Sequence, residues 1–384
     1  MTLSRRNLMQ ALGLGVAANA LPSWSFAAGA AASVSGNRSE PVGGAQPGGP
    51  ILLNSNENAY GPSEKVIAAL QNALPAANRY AHDEYENLAE QIASLHRVRR
   101  DQVLLGCGSS EIFHMAAGAF LGAGKKLVIA APAFEVIAHY AESSGAEVVR
   151  VPLNRLYSYD LDAMRTRANS PGLVYVCNPN NPTGTLTARK ELETFIGKLP
   201  ANVYVLVDEA YHHYAGASPA YASFIDHPLD DPRVIVTRTF SKIYGMAGMR
   251  LGYGIAAAQT IGQMKPYQLQ LNVNTIVARA AMAALTDTEG VQAAAQRNTN
   301  DRQDFINRAQ TRNFNPIPSH TNFMIMNTDH PAEGVVEHFR KNNILVGGPF
   351  PPMNTFIRIS LGTPPQMDEF WRVWDLMHIE GHHH

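Results

Sequence analysis

Lys242 stands in the stretch Thr239-Phe-Ser-Lys-Ile-Tyr-Gly-Met-Ala-Gly-Met-Arg250, one lysine among small and apolar residues. Hydroxyls flank the phenylalanine before it, and an arginine follows eight residues later. An ammonium group in apolar surroundings loses hydration, so its pKa falls and the free amine becomes available for imine chemistry. Thr239, Ser241 and Arg250 supply donors that suit a phosphate near that amine. Taken alone, such a pair is more often a solvated loop lysine beside a structural arginine. Other segments reverse that balance.

Asp208 closes the apolar run Val203-Tyr-Val-Leu-Val207. A carboxylate there is expensive to bury unless it meets a cation or a donor. A protonated pyridine nitrogen is such a partner, and the pairing keeps that ring electron-withdrawing. A metal ion is the alternative, but the neighbouring ligand set is poor. Tyr211, one turn further on, is placed to hydrogen-bond a ring hydroxyl. Gly106-Cys-Gly-Ser-Ser110 lies between a strand and a helix, where free backbone N–H groups form a phosphate cup that includes Ser109 and Ser110. Phe134 is either a ring-stacking residue or a buried aromatic. The proline-fixed loop Asn178-Pro-Asn-Asn-Pro-Thr-Gly184 presents one amide side chain rigidly. Lysine for an imine, carboxylate for a ring nitrogen, and arginine, hydroxyls and a helix start for phosphate are the demands of pyridoxal phosphate. Once displaced by a substrate amine, the same lysine is placed to move the α-proton as general base.

The elements that position these groups alternate along the chain. Ser63 caps a predicted helix to about Leu74, and a second runs from about Tyr85 to Arg97. Short apolar runs at 103–105, 127–130, 148–151, 173–177, 203–207 and 233–237 read as strands, with helices in most intervals. Runs without polar alternation predict a mostly parallel sheet covered on both faces, whose ligands bind beyond the strands' carboxyl ends. Every polar group named above sits at such an end. From about Val273 to Asn313 the pattern changes to long helices. A smaller α+β portion follows, with runs at 320–326 and 356–360 and helices at 332–342 and 365–377. The expected organisation is an N-terminal arm over 51–62, a large cofactor-binding domain over 63–272 and a small domain over 273–378.

With 31 Lys plus Arg against 32 Asp plus Glu, the net charge of −1 offers no electrostatic case for nucleic acid. Cys107 and Cys177 make neither a disulfide framework nor a metal site. Ser4-Arg5-Arg6-Asn7-Leu8-Met9, followed by a mild apolar run from Ala11 to Leu21, resembles a twin-arginine export signal over 1–27, with cleavage near Ala27. The run is too short and too rich in Gly and Ala to span a bilayer. Export would deliver a periplasmic enzyme with no membrane association afterwards, whereas an unused signal would leave it cytoplasmic. Residues 28–50 read as a disordered linker, and 381–384 as the remnant of a purification tag.

From about Ile51 to Met377 the sequence resembles the class I/II aminotransferases, most closely the histidinol-phosphate aminotransferase-like branch. The resemblance rests on Asn54-Ser-Asn-Glu-Asn-Ala-Tyr-Gly-Pro62, Asn78-Arg-Tyr80, Asn178 to Gly184, Val207-Asp-Glu-Ala-Tyr211, Thr239-Phe-Ser-Lys242, Gly248-Met-Arg-Leu-Gly252 and Arg358-Ile-Ser-Leu-Gly362. It implies an α/β fold of the aspartate-aminotransferase type, with a mostly parallel sheet between helices and a smaller α+β domain. It further implies that Lys242 forms the Schiff base with pyridoxal 5'-phosphate and that Asp208 pairs with the pyridine nitrogen. Tyr211 and Asn181 would contact the ring hydroxyl, and Phe134 would lie over the ring. Ser109, Ser110, Thr239, Ser241 and Arg250 would hold the phosphate. Tyr80 would reach the phosphate of a neighbouring subunit, making the protein a homodimer with shared sites. Arg358 would clamp the substrate α-carboxylate, with Tyr60 and Asn322 also on the substrate side.

One departure bears on the substrate. Histidinol-phosphate aminotransferases tend to carry an arginine shortly before the last strand, where it meets the substrate phosphate. Here the segment reads Ile344-Leu-Val-Gly-Gly-Pro-Phe-Pro-Pro352, with Gly347 in that place. The expectation is therefore transfer of an amino group from another amino acid to a 2-oxo acid. The apolar loop 348–352 and Tyr60 would favour an uncharged or aromatic side chain. The same cofactor set also serves decarboxylation, elimination or amine oxidation, and a non-catalytic ligand-binding protein on the same fold is the reading from a different class.

Overall fold

The computed structural model describes residues 49–380. The export motif, its cleavage site and the tag residues lie outside the described residues, as does the linker apart from positions 49 and 50. The strands are β1 (Ile51–Leu53), β2 (Val103–Gly106), β3 (Lys126–Ala131), β4 (Glu147–Pro152), β5 (Gly172–Cys177), β6 (Val203–Asp208), β7 (Val234–Thr239), β8 (Gly252–Ile255), β9 (Phe323–Asn327), β10 (Ile344–Val346) and β11 (Phe356–Ser360).

A seven-stranded sheet in the order β2-β8-β7-β6-β5-β3-β4 forms the large layer. The run from β4 to β7 is parallel throughout, and β8 alone runs against both of its neighbours. Every residue of β5 and β7 is buried, because helices cover both faces, and this is why β5 and the first half of β7 read as apolar runs without alternation. Ser63 caps the helix Glu64–Ala73 by accepting from the Val66 N–H, as its sequence position suggests.

The first hydrophobic core joins this sheet to its helices, and a second gathers Phe305, Phe339, Phe370, Trp371 and Trp374 around the antiparallel pair β9–β11. Two segments cross the boundaries drawn from sequence. Helix Thr275–Leu285 begins beyond residue 272, yet it packs on the large core through Val277, Ala278, Ala281 and Ala284. Conversely, β1 of the arm pairs in parallel with β10, and Leu53 is buried in the second core. The arm therefore starts as part of the small domain and then crosses to the large one. Among the described residues no helix is long and apolar enough to cross a membrane, and no His, Cys, Asp and Glu cluster is placed to hold a metal.

Candidate active site

Parallel strands put their carboxyl ends at one edge of the sheet, so sequence-distant residues meet there. Cys177 of β5 is level with Asp208 of β6, and Asp208 with Thr237 of β7. One step further along, Thr239 is level with Gly252 of β8, and Gly252 with Gly106 of β2. The register thus lines up the carboxylate, the Thr239–Lys242 segment and the glycine turn.

Asp208 is 3% exposed. Its Oδ1 accepts from Thr237 Oγ1 at 3.2 Å and from the Ala210 N–H at 3.2 Å, and its Oδ2 accepts from the Tyr175 hydroxyl at 2.9 Å. Burial nevertheless pushes its pKa up to about 6, against the lowering effect of these donors and of Lys242. A carboxylate so deeply placed calls for a cationic partner.

Lys242 follows β7 on a turn closed by the Gly245 N–H on the Lys242 carbonyl. Its Nζ donates to the Asn56 carbonyl at 2.9 Å and to the Ser55 carbonyl at 3.3 Å, and lies 5.7 Å from the centroid of the Tyr211 ring. Burial first, and the Arg358 guanidinium second, push its pKa down to about 8. Such an amine is partly deprotonated near neutral pH and suited to attack a carbonyl. Tyr211 is buried, and its hydroxyl accepts from Asn56 Nδ2 at 2.9 Å.

The glycine turn and Arg250 form a cradle. Gly108 has a φ of +75° at the start of helix Ser109–Phe120, and a Cβ built on it would come within 2.4 Å of Arg250 Nη2. A Cβ on Gly252 would lie 2.4 Å from the Ser109 nitrogen. Only glycine at both places lets the helix start, the strand and the guanidinium converge. Thr239 Oγ1 donates to Ser241 Oγ at 2.9 Å, and Arg250 Nη1 lies 3.5 Å from the same Ser241 oxygen. Helix-start N–H groups, two hydroxyls and a guanidinium are the donor set of a phosphate site, and they fit one. Ser110 opens the same helix, partly buried. Phe134 is also partly buried, edge-on to Phe113 at 6.3 Å between centroids.

Arg358 sits on β11, within electrostatic reach of Tyr211. Its Nη1 donates to Asn181 Oδ1 at 2.5 Å and its Nη2 to the Asn54 carbonyl at 2.6 Å, while its buried Nε has no protein partner. The guanidinium carbon lies 5.2 Å from the Phe350 ring centroid and 5.5 Å from that of Phe323. Asn322 is buried and binds the arm, donating from Nδ2 to the carbonyls of Asn56 and Glu57. The structure does not bring every candidate to this cluster. The Tyr60 hydroxyl turns to Asp301 Oδ2 at 3.1 Å, with Arg297 over its ring, and no hydrogen bond links it to Lys242 or Arg358. Tyr80 is 73% exposed and meets His82 edge-on.

Sequence reasoning missed Asn56, Tyr175 and Ser360. Asn56 is 2% exposed with a φ of +55°; its N–H donates to Ser360 Oγ at 2.8 Å and its carbonyl holds both Lys242 and Asn322. Its only trace in the sequence is an asparagine in an arm rich in turn residues, since asparagine tolerates the left-handed region.

The fold and this site define a lysine-centred enzyme of the aspartate-aminotransferase type. A family model described as Aminotransferase class I and II matches residues 49–373, and the chain belongs to that family, as an enzyme of the transaminase class. It is 33% identical over 326 residues to a histidinol-phosphate aminotransferase of Symbiobacterium thermophilum, covering 83% of this chain and 88% of that one. Among solved structures it resembles a putative histidinol-phosphate aminotransferase from Erwinia carotovora atroseptica, with a TM-score of 0.81, 32% identity and coverage of 86% and 96% of the two chains. It also resembles the histidinol-phosphate aminotransferase of Sinorhizobium meliloti in complex with pyridoxal-5'-phosphate, with a TM-score of 0.78, 27% identity and coverage of 83% and 88%.

Proposed function

We propose that this chain is a pyridoxal-phosphate-dependent aminotransferase that moves the amino group of a free amino acid to a 2-oxo acid. The observation that carries the reading is Lys242 beside the Tyr211 ring and within electrostatic reach of Asp208, Arg358 and Arg250, which itself closes on Gly108. When bound, pyridoxal phosphate supplies an aldehyde for amine capture and an electron-poor ring that stabilises negative charge at the substrate carbon. Lys242 is the amine that would hold the aldehyde and the base that would move the substrate α-proton. Asp208 holds the ring nitrogen cationic. Tyr211 and Asn181 serve the ring hydroxyl, Phe134 the ring face, and Ser109, Ser110, Thr239, Ser241 and Arg250 the phosphate. Arg358, with Nε unpartnered and its two terminal nitrogens on the neutral oxygens of Asn181 and Asn54, takes the substrate α-carboxylate, with Asn322 holding the arm beside it.

Histidinol phosphate is not the amino donor in this reading. Position 347 offers no cation, and a Cβ there would lie 3.2 Å from Arg358 Nη2, so the backbone is pressed against the guanidinium. The aromatic rings of Phe350 and Phe323 flank Arg358 and favour an uncharged or aromatic donor.

A homodimer and periplasmic export complete the proposal. Leu74, 59% exposed, and Met249, 37% exposed, line a groove of about 550 Å³ with Ile67, Leu70 and Arg79, next to Tyr80 and Arg250. A second copy covering it would bring Tyr80 toward its partner's phosphate site. Export rests on Arg5-Arg6 and the apolar run behind them.

The test is borohydride reduction of purified protein followed by peptide mass analysis, with a panel of amino donors assayed against 2-oxoglutarate and pyruvate. A cofactor adduct on the Lys242 peptide, absent from Lys242→Ala, and turnover that needs a 2-oxo acid are the expected results. Carbon dioxide, ammonia or peroxide released without an acceptor would overturn the transfer reaction. Light scattering and fractionation of expressing cells test the dimer and the export.

A further inference from the structure

The carboxylate that ends β6 is held unevenly. Its Oδ1 has two donors, the Thr237 hydroxyl and the Ala210 N–H, at 3.2 Å each. Its Oδ2 has one, the phenol of Tyr175 on the adjacent strand, and this is the shortest of the three at 2.9 Å. Tyr175 is fully buried and has little freedom: Phe113 meets its ring edge-on at 5.5 Å between centroids, and Phe113 in turn meets Phe134. Cys177 lies level with Asp208, so Tyr175, two residues earlier on the same face of β5, reaches the carboxylate diagonally. A tyrosine in the middle of an apolar strand must bury its hydroxyl, which is unfavourable without a partner. Here that partner is Asp208.

We propose that Tyr175 is a positioning residue: its hydroxyl on Oδ2 holds the Asp208 carboxyl in a single rotamer and in the ionised form that a cationic ring nitrogen requires. A phenol that donates to a carboxylate stabilises the charged form and does nothing comparable for the protonated one. The other titratable groups facing Asp208 are Cys177 from β5, Tyr159, Tyr211 and Lys242, and of these only Lys242 carries a charge that favours the anion. Tyr175 therefore offsets by hydrogen bonding part of what burial removes. The inference rests on the reading of Asp208 as the ring-nitrogen partner.

The experiment compares wild type, Tyr175→Phe and Thr237→Val, with Asp208→Asn as the spectral reference. In cofactor-free protein, carboxyl infrared difference spectra follow protonation of Asp208 with pH; in parallel, pyridoxal phosphate affinity is titrated from acid to neutral pH. In Tyr175→Phe the midpoint of Asp208 should rise by about one pH unit. Affinity should weaken about tenfold on the acid side and little at the alkaline end. Thr237→Val should move both readouts the same way. An unmoved Asp208 midpoint, or weakening that is uniform with pH, overturns the proposal, since a purely structural tyrosine would give the latter. A raised midpoint with an unchanged affinity profile leaves Tyr175 in control of the acid but overturns Asp208 as the ring-nitrogen partner.

Discussion

Arg238 and Glu209 form a buried ion pair one residue away from the two strand ends that carry the site. Arg238 Nε and Nη2 each lie 3.1 Å from Glu209 Oε2, and the residues are 5% and 2% exposed. Thr237 and Thr239 share one face of β7, so Arg238 between them projects from the other. Ser223 and the Phe224 N–H complete the coordination of Glu209, and Asp226 reaches the same guanidinium at 3.2 Å. The pair thus locks β6 to β7 from behind while Asp208 and Thr239 face the site.

Removing one partner strands the other charge in the interior. Arg238→Met should lower the unfolding free energy by about 3–5 kcal/mol, whereas Arg238→Met with Glu209→Met should restore much of it. Denaturant unfolding of the three proteins checks this. A double variant no better than the single would mean that the ion pair itself, and not charge burial, holds the strand ends.

Asp208 sets up a pH dependence of opposite sense to that of a surface carboxylate. Its pKa rises from 3.8 to about 6 on folding, because burial penalises the anion. The folded protein then binds more protons than the unfolded chain between those values, so stability falls as pH rises through that window. Asp208→Asn should therefore stabilise the cofactor-free protein at pH 7 by on the order of 2 kcal/mol, and by almost nothing below pH 4. Unfolding curves at the two pH values measure it. The same variant should lose the cofactor readily, the exchange of stability for function expected of a buried catalytic acid.

Arg358 depends on geometry as much as on charge. Its two terminal nitrogens diverge to Asn181 and Asn54, and Gly347 lies flat against it. Lysine keeps the charge but has no fork for a carboxylate. Arg358→Lys should lower kcat/KM by about 100-fold, mainly through KM for both amino acid and 2-oxo acid. Gly347→Ala, whose Cβ would press on the guanidinium, should shift KM in the same direction by a smaller factor. Steady-state kinetics with both substrates decide it, and an effect on kcat alone would remove Arg358 from carboxylate binding.

The strand ends were legible because burial on both faces disfavours polar residues along β5 and β6, so a polar residue at the end of such a run stands out. Lys242, Asp208 and the glycine turn could be read in that way. The arm could not. Its strand β1 has three residues and pairs with β10, also three residues long and far along the chain, so neither carries a periodic signal. Tyr175 was hidden for a related reason, since a tyrosine in an apolar strand reads as core until its hydroxyl partner is seen. Helix Thr275–Leu285 has apolar character that suits either core, and only packing assigns it to the large one.

Asn56 ties the arm to the site by both backbone and side chain, and two substitutions separate these roles. Its φ of +55° is unfavourable for alanine by about 1–2 kcal/mol and not for glycine. Both substitutions remove the Nδ2 donor to the Tyr211 hydroxyl, but only glycine keeps the turn that presents the Asn56 carbonyl to Lys242 and Asn322. Asn56→Gly and Asn56→Ala should weaken pyridoxal phosphate retention through the shared loss at Tyr211. Asn56→Ala should in addition unfold at lower denaturant, as the arm gives up its hydrogen bonds to Ser360 and Lys242. Equal stability of the two variants would show that the arm does not need the left-handed turn, and with it that Lys242 is not positioned from the Asn56 backbone.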